Sequence, residues 1–329
     1  MKAIVYKQYG GPDVLKIQEV ERPVPKGNEM LVRVHTTSVN YGDLLARKFR
    51  YVTTKEFNMP GIFWLMAKLA FGLKKPKTTI LGSEFSGTVE SVGCNVQTFK
   101  AGDAVFGYVG QRMGAYAEYI SIPEKGVIDT KPGNISFEEA AVIPYGSIMA
   151  LYLLRKMNIQ AGQKVLINGA SGGIGSAAVQ IANHYGASVT GICSTPRLAF
   201  VKSLGADRVI DYTKENFTDN GEKYDLIFDV LGKCSYSKCK NSLSRNGHIL
   251  YASFKLGKLV QSVWNGKVVC GIAPESAADL HVVKELIESG KIQAGIDKVF
   301  PMEQAANAHR YAEGGKAQGK IAINIREND

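Results

Sequence analysis

Gln163-Lys164-Val165-Leu166-Ile167-Asn168-Gly169-Ala170-Ser171-Gly172-Gly173-Ile174-Gly175 reads as a buried strand, a glycine turn and a helix start in direct succession. Small residues at such a turn let the backbone approach a pyrophosphate, and the free N–H groups of the helix start favour its negative charge. A helix over 175–185 follows, and then a strand-like run, Ala187-Ser188-Val189-Thr190-Gly191-Ile192-Cys193. Strand, helix and strand complete one mononucleotide-binding unit. Ala170 stands where the first glycine of G-x-G-x-x-G would be, so the flanking elements carry the reading as much as the turn does.

Outward from this unit the alternation continues. From residue 137, helices alternate with short apolar strands at 164–168, 188–193, 208–210, 226–230, 248–252 and 268–271. Six such strands with crossover helices make an α/β fold with a doubly wound parallel sheet of Rossmann type. The first 125 residues differ, because 2–6, 30–36, 84–92 and 104–107 alternate or run apolar between Gly and Pro breakers. After 271 come helices over 277–288 and 302–311 and a last strand over 320–325, all in need of a partner sheet. The economical arrangement returns them to the N-terminal β-rich part, with the dinucleotide unit as an insert. The expected segments are 1–123, 124–273 and 274–329, with a cleft between the two units.

A chain of 329 residues with 45% hydrophobic content suits two ordinary globular units. The net charge of +10 is spread without a run of five basic residues, so no nucleic-acid partner is expected and the surface suits an anionic cofactor. The five cysteines form no C-x-x-C pair and are odd in number, which fits a reducing, cytoplasmic setting. Residues 1–6 alternate like a strand and show no secretion signal. The apolar run over 60–73, followed by Lys74, Lys75 and Lys77, is too short to span a bilayer. It is expected as a helical hairpin packed over the cleft, with a peripheral membrane contact as the second reading.

Ser38-Val39-Asn40-Tyr41-Gly42-Asp43, Leu81-Gly82-Ser83-Glu84-Phe85-Ser86-Gly87-Thr88-Val89-Glu90-Ser91-Val92-Gly93 and the turn 170–175 occur in order, and Gln318-Gly319-Lys320-Ile321-Ala322-Ile323 closes the chain. In these stretches the sequence resembles the medium-chain dehydrogenase/reductase superfamily, and within it the zinc-independent quinone oxidoreductases. The resemblance implies a GroES-like β-rich catalytic domain around the Rossmann insert, and it allows for a homo-oligomer. Asn40 stands where the zinc alcohol dehydrogenases have a ligating cysteine and Ser83 where they have a ligating histidine. Amide and hydroxyl oxygens are poor replacements for thiolate and imidazole, and the four-cysteine structural loop is missing, so no metal is expected.

The cofactor follows from charge. An NAD site wants an acid at the end of the second strand, whereas a 2′-phosphate there wants hydroxyls and cations. Ser194 lies nineteen residues after Gly175, followed by Thr195 and Arg197, which argues for NADPH. The resemblance adds Tyr212 beside the adenosine phosphate, Leu231 and Gly232 at the nicotinamide half, and Phe254, Ala317, Gly319 and Lys320 closing around the cofactor with the turn Ala170, Ser171, Gly172, Gly173, Ile174 and Gly175.

Without zinc, the acceptor must already be electrophilic, as quinones and α,β-unsaturated carbonyls are. The expected activity is an NADPH-dependent oxidoreductase that passes hydride to such an acceptor, with the protein aligning the partners and stabilising the developing oxyanion. Tyr51 and Asn40 are the catalytic candidates, Tyr51 by its hydroxyl and Asn40 by its amide; the bland alternatives are a pocket-lining tyrosine and a loop-holding asparagine. The competing class is an NADPH-binding protein with a signalling or structural role and little turnover.

Overall fold

The computed structural model describes residues 1–326; the stretch 327–329 that closes the expected last segment lies outside the described residues. β1 (Lys2–Val5) and β2 (Lys16–Glu19) pair antiparallel. β3 (Glu29–Val39), β4 (Glu84–Val92), β5 (Ala104–Tyr108), β6 (Tyr119–Pro123) and β7 (Val127–Thr130) form most of the first large sheet. Between β3 and β4 run α1 (Tyr41–Arg47), α2 (Thr54–Phe57) and α3 (Gly61–Phe71). α4 (Phe137–Val142) and α5 (Pro144–Lys156) lead into β8 (Lys164–Asn168), β9 (Ser188–Cys193), β10 (Arg208–Asp211), β11 (Tyr224–Asp229), β12 (Leu243–Tyr251) and β13 (Val268–Cys270). These strands alternate with α6 (Gly173–His184), α7 (Leu198–Ser203), α8 (Tyr236–Cys239) and α9 (Leu256–Trp264). α10 (Ala277–Glu288), β14 (Ile296–Pro301), α11 (Ala305–Glu313) and β15 (Lys320–Asn324) complete the chain.

The second sheet has the order β10-β9-β8-β11-β12-β13, and every pairing in it is parallel. Its strands are apolar on both faces because helices cover both, which is why Val165, Leu166 and Ile167 of β8 are all buried. The order reverses between β8 and β11, and the crevice at their carboxyl ends is where such sheets bind ligands. The last strand returns as expected: β15 pairs antiparallel with β3 and parallel with β14, joining the chain end to the first sheet.

Two details differ from the sequence reading. β7 pairs with β5, so the first sheet runs to Thr130 rather than ending at 123, and α10 packs both on α5 and on β7 of that sheet, where His281 and Lys284 meet Asp129. Strand pairing decides this, and composition does not record it. The apolar run after Pro60 is the single helix α3, preceded by the one-turn α2, instead of a hairpin. Trp64, Ala67 and Phe71 of α3 pack on the core of the first sheet.

Candidate active site

The dinucleotide turn takes its shape from two glycines. Gly169 has φ +90°, which a side chain disfavours, and a Cβ on Gly175 would stand 2.0 Å from the Gly169 carbonyl oxygen. Helix α6 therefore starts directly against the end of β8, with exposed Gly172 as its N-cap and its first N–H groups aimed out of the turn. Ala170 is fully buried and donates its N–H to the Ile192 carbonyl; Ser171, Gly173 and Ile174 are half-buried around the opening. These features fit a pyrophosphate at the turn.

Across the cleft stands a polar cluster built by the first sheet. Glu84, at the start of β4, is fully buried, and its Oε2 accepts from Ser38 Oγ at 2.5 Å, Asn40 Nδ2 at 2.7 Å and Lys320 Nζ at 2.9 Å. Its other oxygen accepts from the Tyr145 backbone N–H at 2.6 Å, at the start of α5. The Lys320 ammonium also donates to Asn40 Oδ1, while the lysine stem passes over Gly173, with Cδ 3.4 Å from where a Cβ would sit there. Lys320 thus links the returning strand, the Glu84 carboxylate and the dinucleotide turn.

Asn40 differs from its expected role as a free donor. Its Nδ2 is shared among Ser38, Ser83 and Glu84, its Oδ1 accepts from Lys320, and its backbone N–H donates to Asp43 in a capping box on α1. The side chain is committed to holding Lys320 and Glu84 in place. Asp43, fully buried, is pushed up to about 7 by burial, against the N–H groups of Asn40 and Gly82 that favour its charge. Tyr51 is 62% exposed, and its hydroxyl has no hydrogen-bond partner among the described residues. Sequence reasoning missed Tyr145 and Tyr108, whose rings lie 5.3 Å apart. Burial first, and then neighbouring charged groups including Glu84, raise both hydroxyls above the ordinary tyrosine value, so they stay protonated.

The 2′ end of the site is also arranged differently from the expectation. Arg197 Nε donates to the Ala317 carbonyl at 2.8 Å, and its NH2 donates to the Gly315 carbonyl. Its guanidinium ties the end of β9 to the loop before β15 instead of standing free. Thr195 Oγ1 donates to Asp211 Oδ2 at 2.5 Å, which places a carboxylate beside the hydroxyls where the sequence reading expects none. The cause is register: β9 and β10 pair Cys193 with Asp211, so the acid arrives from the neighbouring strand. Thr213 and Lys214 also face it, and with Thr195 they hold its carboxyl below the usual range. Ser194 is half-buried at the same strand end.

Tyr212 is 60% exposed at the rim of a cavity of about 360 Å³ lined by Asn168, Ile192, Ile210, Lys214 and Cys234. Leu231 covers Gly169, and the tight backbone of Gly232 lies against the Ser253 carbonyl. The Phe254 ring is buried in the core beneath the sheet, so only its backbone can meet a cofactor. Gly319 lies against the Gly295 carbonyl, where a side chain would collide.

Zinc does not fit the cluster across the cleft. Asn40 offers an amide, Ser83 a hydroxyl, and the Glu84 carboxylate already receives the Lys320 ammonium. Among the described residues no three His, Cys, Asp or Glu side chains are grouped to hold a metal ion.

A Rossmann sheet inserted in a GroES-like sheet, with a glycine turn facing a polar cluster, is the architecture of the medium-chain dehydrogenases and reductases. The family models agree: residues 26–132 match the alcohol dehydrogenase GroES-like domain, and 204–323 match a domain described as zinc-binding dehydrogenase. The chain is 32% identical to an NADPH-dependent alkenal/one oxidoreductase of Arabidopsis thaliana, over 98% of this chain and 79% of that one. It is 32% identical to the quinone oxidoreductase of Sus scrofa over 94% of this chain and 93% of the relative. The solved quinone oxidoreductase of Coxiella burnetii superposes with a TM-score of 0.84 at 29% identity, covering 99% of each chain. The chain belongs to the quinone oxidoreductase-like family of the medium-chain dehydrogenase/reductase superfamily, and it is an oxidoreductase.

Proposed function

We propose that the protein is an NADPH-dependent reductase of quinones and α,β-unsaturated carbonyls. The observation that carries this reading is Lys320, which joins the dinucleotide turn to the cluster across the cleft and occupies the carboxylate a metal would need. When bound, NADPH supplies a hydride. The turn 170–175 would hold the pyrophosphate, with the Lys320 ammonium adding charge at Gly173. Ser194, Thr195 and Lys214 would meet the 2′-phosphate, with Tyr212 beside the adenosine. Arg197 would act by fixing the loop of Ala317 and Gly319 over the cofactor. Leu231, Gly232 and the backbone at Phe254 would line the nicotinamide half.

Asn40 and Glu84 are positioning residues for Lys320 in this reading. The Tyr51 hydroxyl stands at the solvent edge, where water can supply the proton in its place, and the Tyr145 hydroxyl, on a residue tied to Glu84 through its backbone N–H, is the better-placed donor. The names of the relatives point to the same acceptors. Five unpaired cysteines support a cytoplasmic setting, and the open edge of β13 supports self-association. NADPH oxidation measured against an alkenal, a vinyl ketone and a quinone tests the reading, with a saturated carbonyl or a hydroquinone as product. Tight NADPH binding with no turnover on any of the three would instead favour a cofactor-binding protein.

A further inference from the structure

Two stretches of the chain hold its entire positive excess. Residues 57–83 carry four lysines and no carboxylate, and residues 230–274 carry seven lysines and arginines and no carboxylate. Against a net charge of +10, the rest of the chain is within one charge of neutral. The two stretches meet in space. Asn58 Nδ2 donates to the Leu231 carbonyl at 3.0 Å and to Ser253 Oγ at 2.8 Å, and Met59 packs with Leu259 on the core beneath the second sheet.

From that junction start two helices with outward apolar stripes. On α3, Ile62, Leu65, Met66 and Leu69 are exposed at i, i+3, i+4 and i+7, while Trp64, Ala67 and Phe71 face the core. On α9, Leu256, Val260, Val263 and Trp264 are exposed at i, i+4, i+7 and i+8, with Val263 at 75% and Trp264 at 84%. Folding of the chain gives the inner face of α3 its partner and leaves the outer stripes in water, an arrangement that marks an interaction surface. Exposed Lys74 and Lys75 follow α3, and exposed Lys255 precedes α9. Lys68 lies over the Trp64 ring at 4.2 Å, its stem along apolar surface.

We propose that α3 and α9 dock this protein on an anionic phospholipid surface. Apolar stripes flanked by lysine, on stretches that carry no carboxylate of their own, are the pattern of helices that lie in a bilayer interface. No described helix is long and apolar enough to cross a membrane, so docking is peripheral. A second copy is the poorer occupant, because a two-fold contact would set each lysine group against its own copy.

The test uses the full chain with vesicles of phosphatidylcholine alone and of phosphatidylcholine mixed with phosphatidylglycerol. Co-sedimentation is expected on the mixed vesicles, weak on the neutral ones and reduced by salt. Trp264 emission should shift to the blue on docking, whereas Trp64, whose indole N–H is bonded to the Val52 carbonyl, should change little. Lys74→Ser with Lys75→Ser should lower partitioning roughly 10- to 30-fold. Val263→Ser with Trp264→Ser should lower it about 10- to 100-fold. All four positions are exposed, so an unchanged melting transition confirms that the variants fold. Absence of sedimentation on mixed vesicles overturns the proposal, as does binding that both pairs leave unchanged. It is equally overturned if the pairs alter only the oligomeric state, or if the chain binds polyglutamate but no vesicle.

Discussion

Lys320→Met separates the two jobs assigned to this side chain, because it keeps the stem and removes the ammonium. In the folded chain the ammonium is one of four donors to the Glu84 carboxylate; Ser38, Asn40 and the Tyr145 N–H remain. A buried carboxylate stripped of its only partner costs about 3–5 kcal/mol. With three donors left to Glu84, the loss is the ammonium's two charge-assisted hydrogen bonds, to Glu84 and to Asn40 Oδ1, at about 1.5–3 kcal/mol of stability each. The same range applies to the pyrophosphate contact, so Kd should rise roughly 10- to 150-fold. The rise should be equal for NADPH and NADH, since the turn lies at the part the two dinucleotides share. Fluorescence titration with both cofactors, together with urea unfolding of the free protein, measures the two effects separately. Lys320→Arg should recover part of the binding. If stability falls as expected while both dissociation constants stay at the wild-type value, Lys320 only braces Glu84, and the link between turn and cluster is structural.

Arg197→Ala should weaken binding of both cofactors by loosening the 315–317 loop, and Lys214→Ala should weaken NADPH alone; equal loss of NADPH and NADH for Lys214→Ala would remove it from the 2′-phosphate site. Tyr51→Phe should change enone turnover by less than about 3-fold, because water reaches that edge, against the ~10²-fold or more expected of a positioned general acid; Tyr145→Phe should cost more, and the reverse order in kcat would refute the assignment. Two buried groups should oppose each other in the pH dependence of stability. Asp43 keeps its proton above the ordinary 3.8 up to about 7, so stability falls as pH rises through that window. His309, held down at about 3 by burial and then by Arg47, resists protonation, so stability falls as pH drops below 6.5. Each slope is at most about 1.4 kcal/mol per pH unit, and they nearly cancel between. Denaturant titrations should show His309→Gln losing stability as pH rises and Asp43→Asn losing it as pH falls; parallel profiles for all three proteins would refute the balance.

What the sequence makes legible is local. The strand 164–168, its turn and its helix are continuous in the chain, so periodicity and glycine spacing locate β8 and α6 to within a residue or two. The site is only half legible, because its contacts are long-range. Lys320 reaches Glu84 across 236 positions and Asn40 across 280, and no local pattern shows that an amide expected as a donor is already saturated. Asp211 illustrates the same limit on a smaller scale: the end of the second strand carries no acid of its own, and the acid comes from the next strand through register. The apolar run over 60–73 is visible as apolar, but a helix that is apolar on both sides gives no sign in its spacing of which side is covered. Only the packing of Trp64, Ala67 and Phe71 shows that Ile62, Leu65, Met66 and Leu69 are left outside. The positive excess, carried by two stretches far apart in the sequence, is likewise concentrated by the fold, because the junction at Asn58 brings these carboxylate-free stretches together. Local pattern therefore locates the cofactor turn, whereas what faces it and what the surface is for depend on which distant segments the two sheets bring into contact.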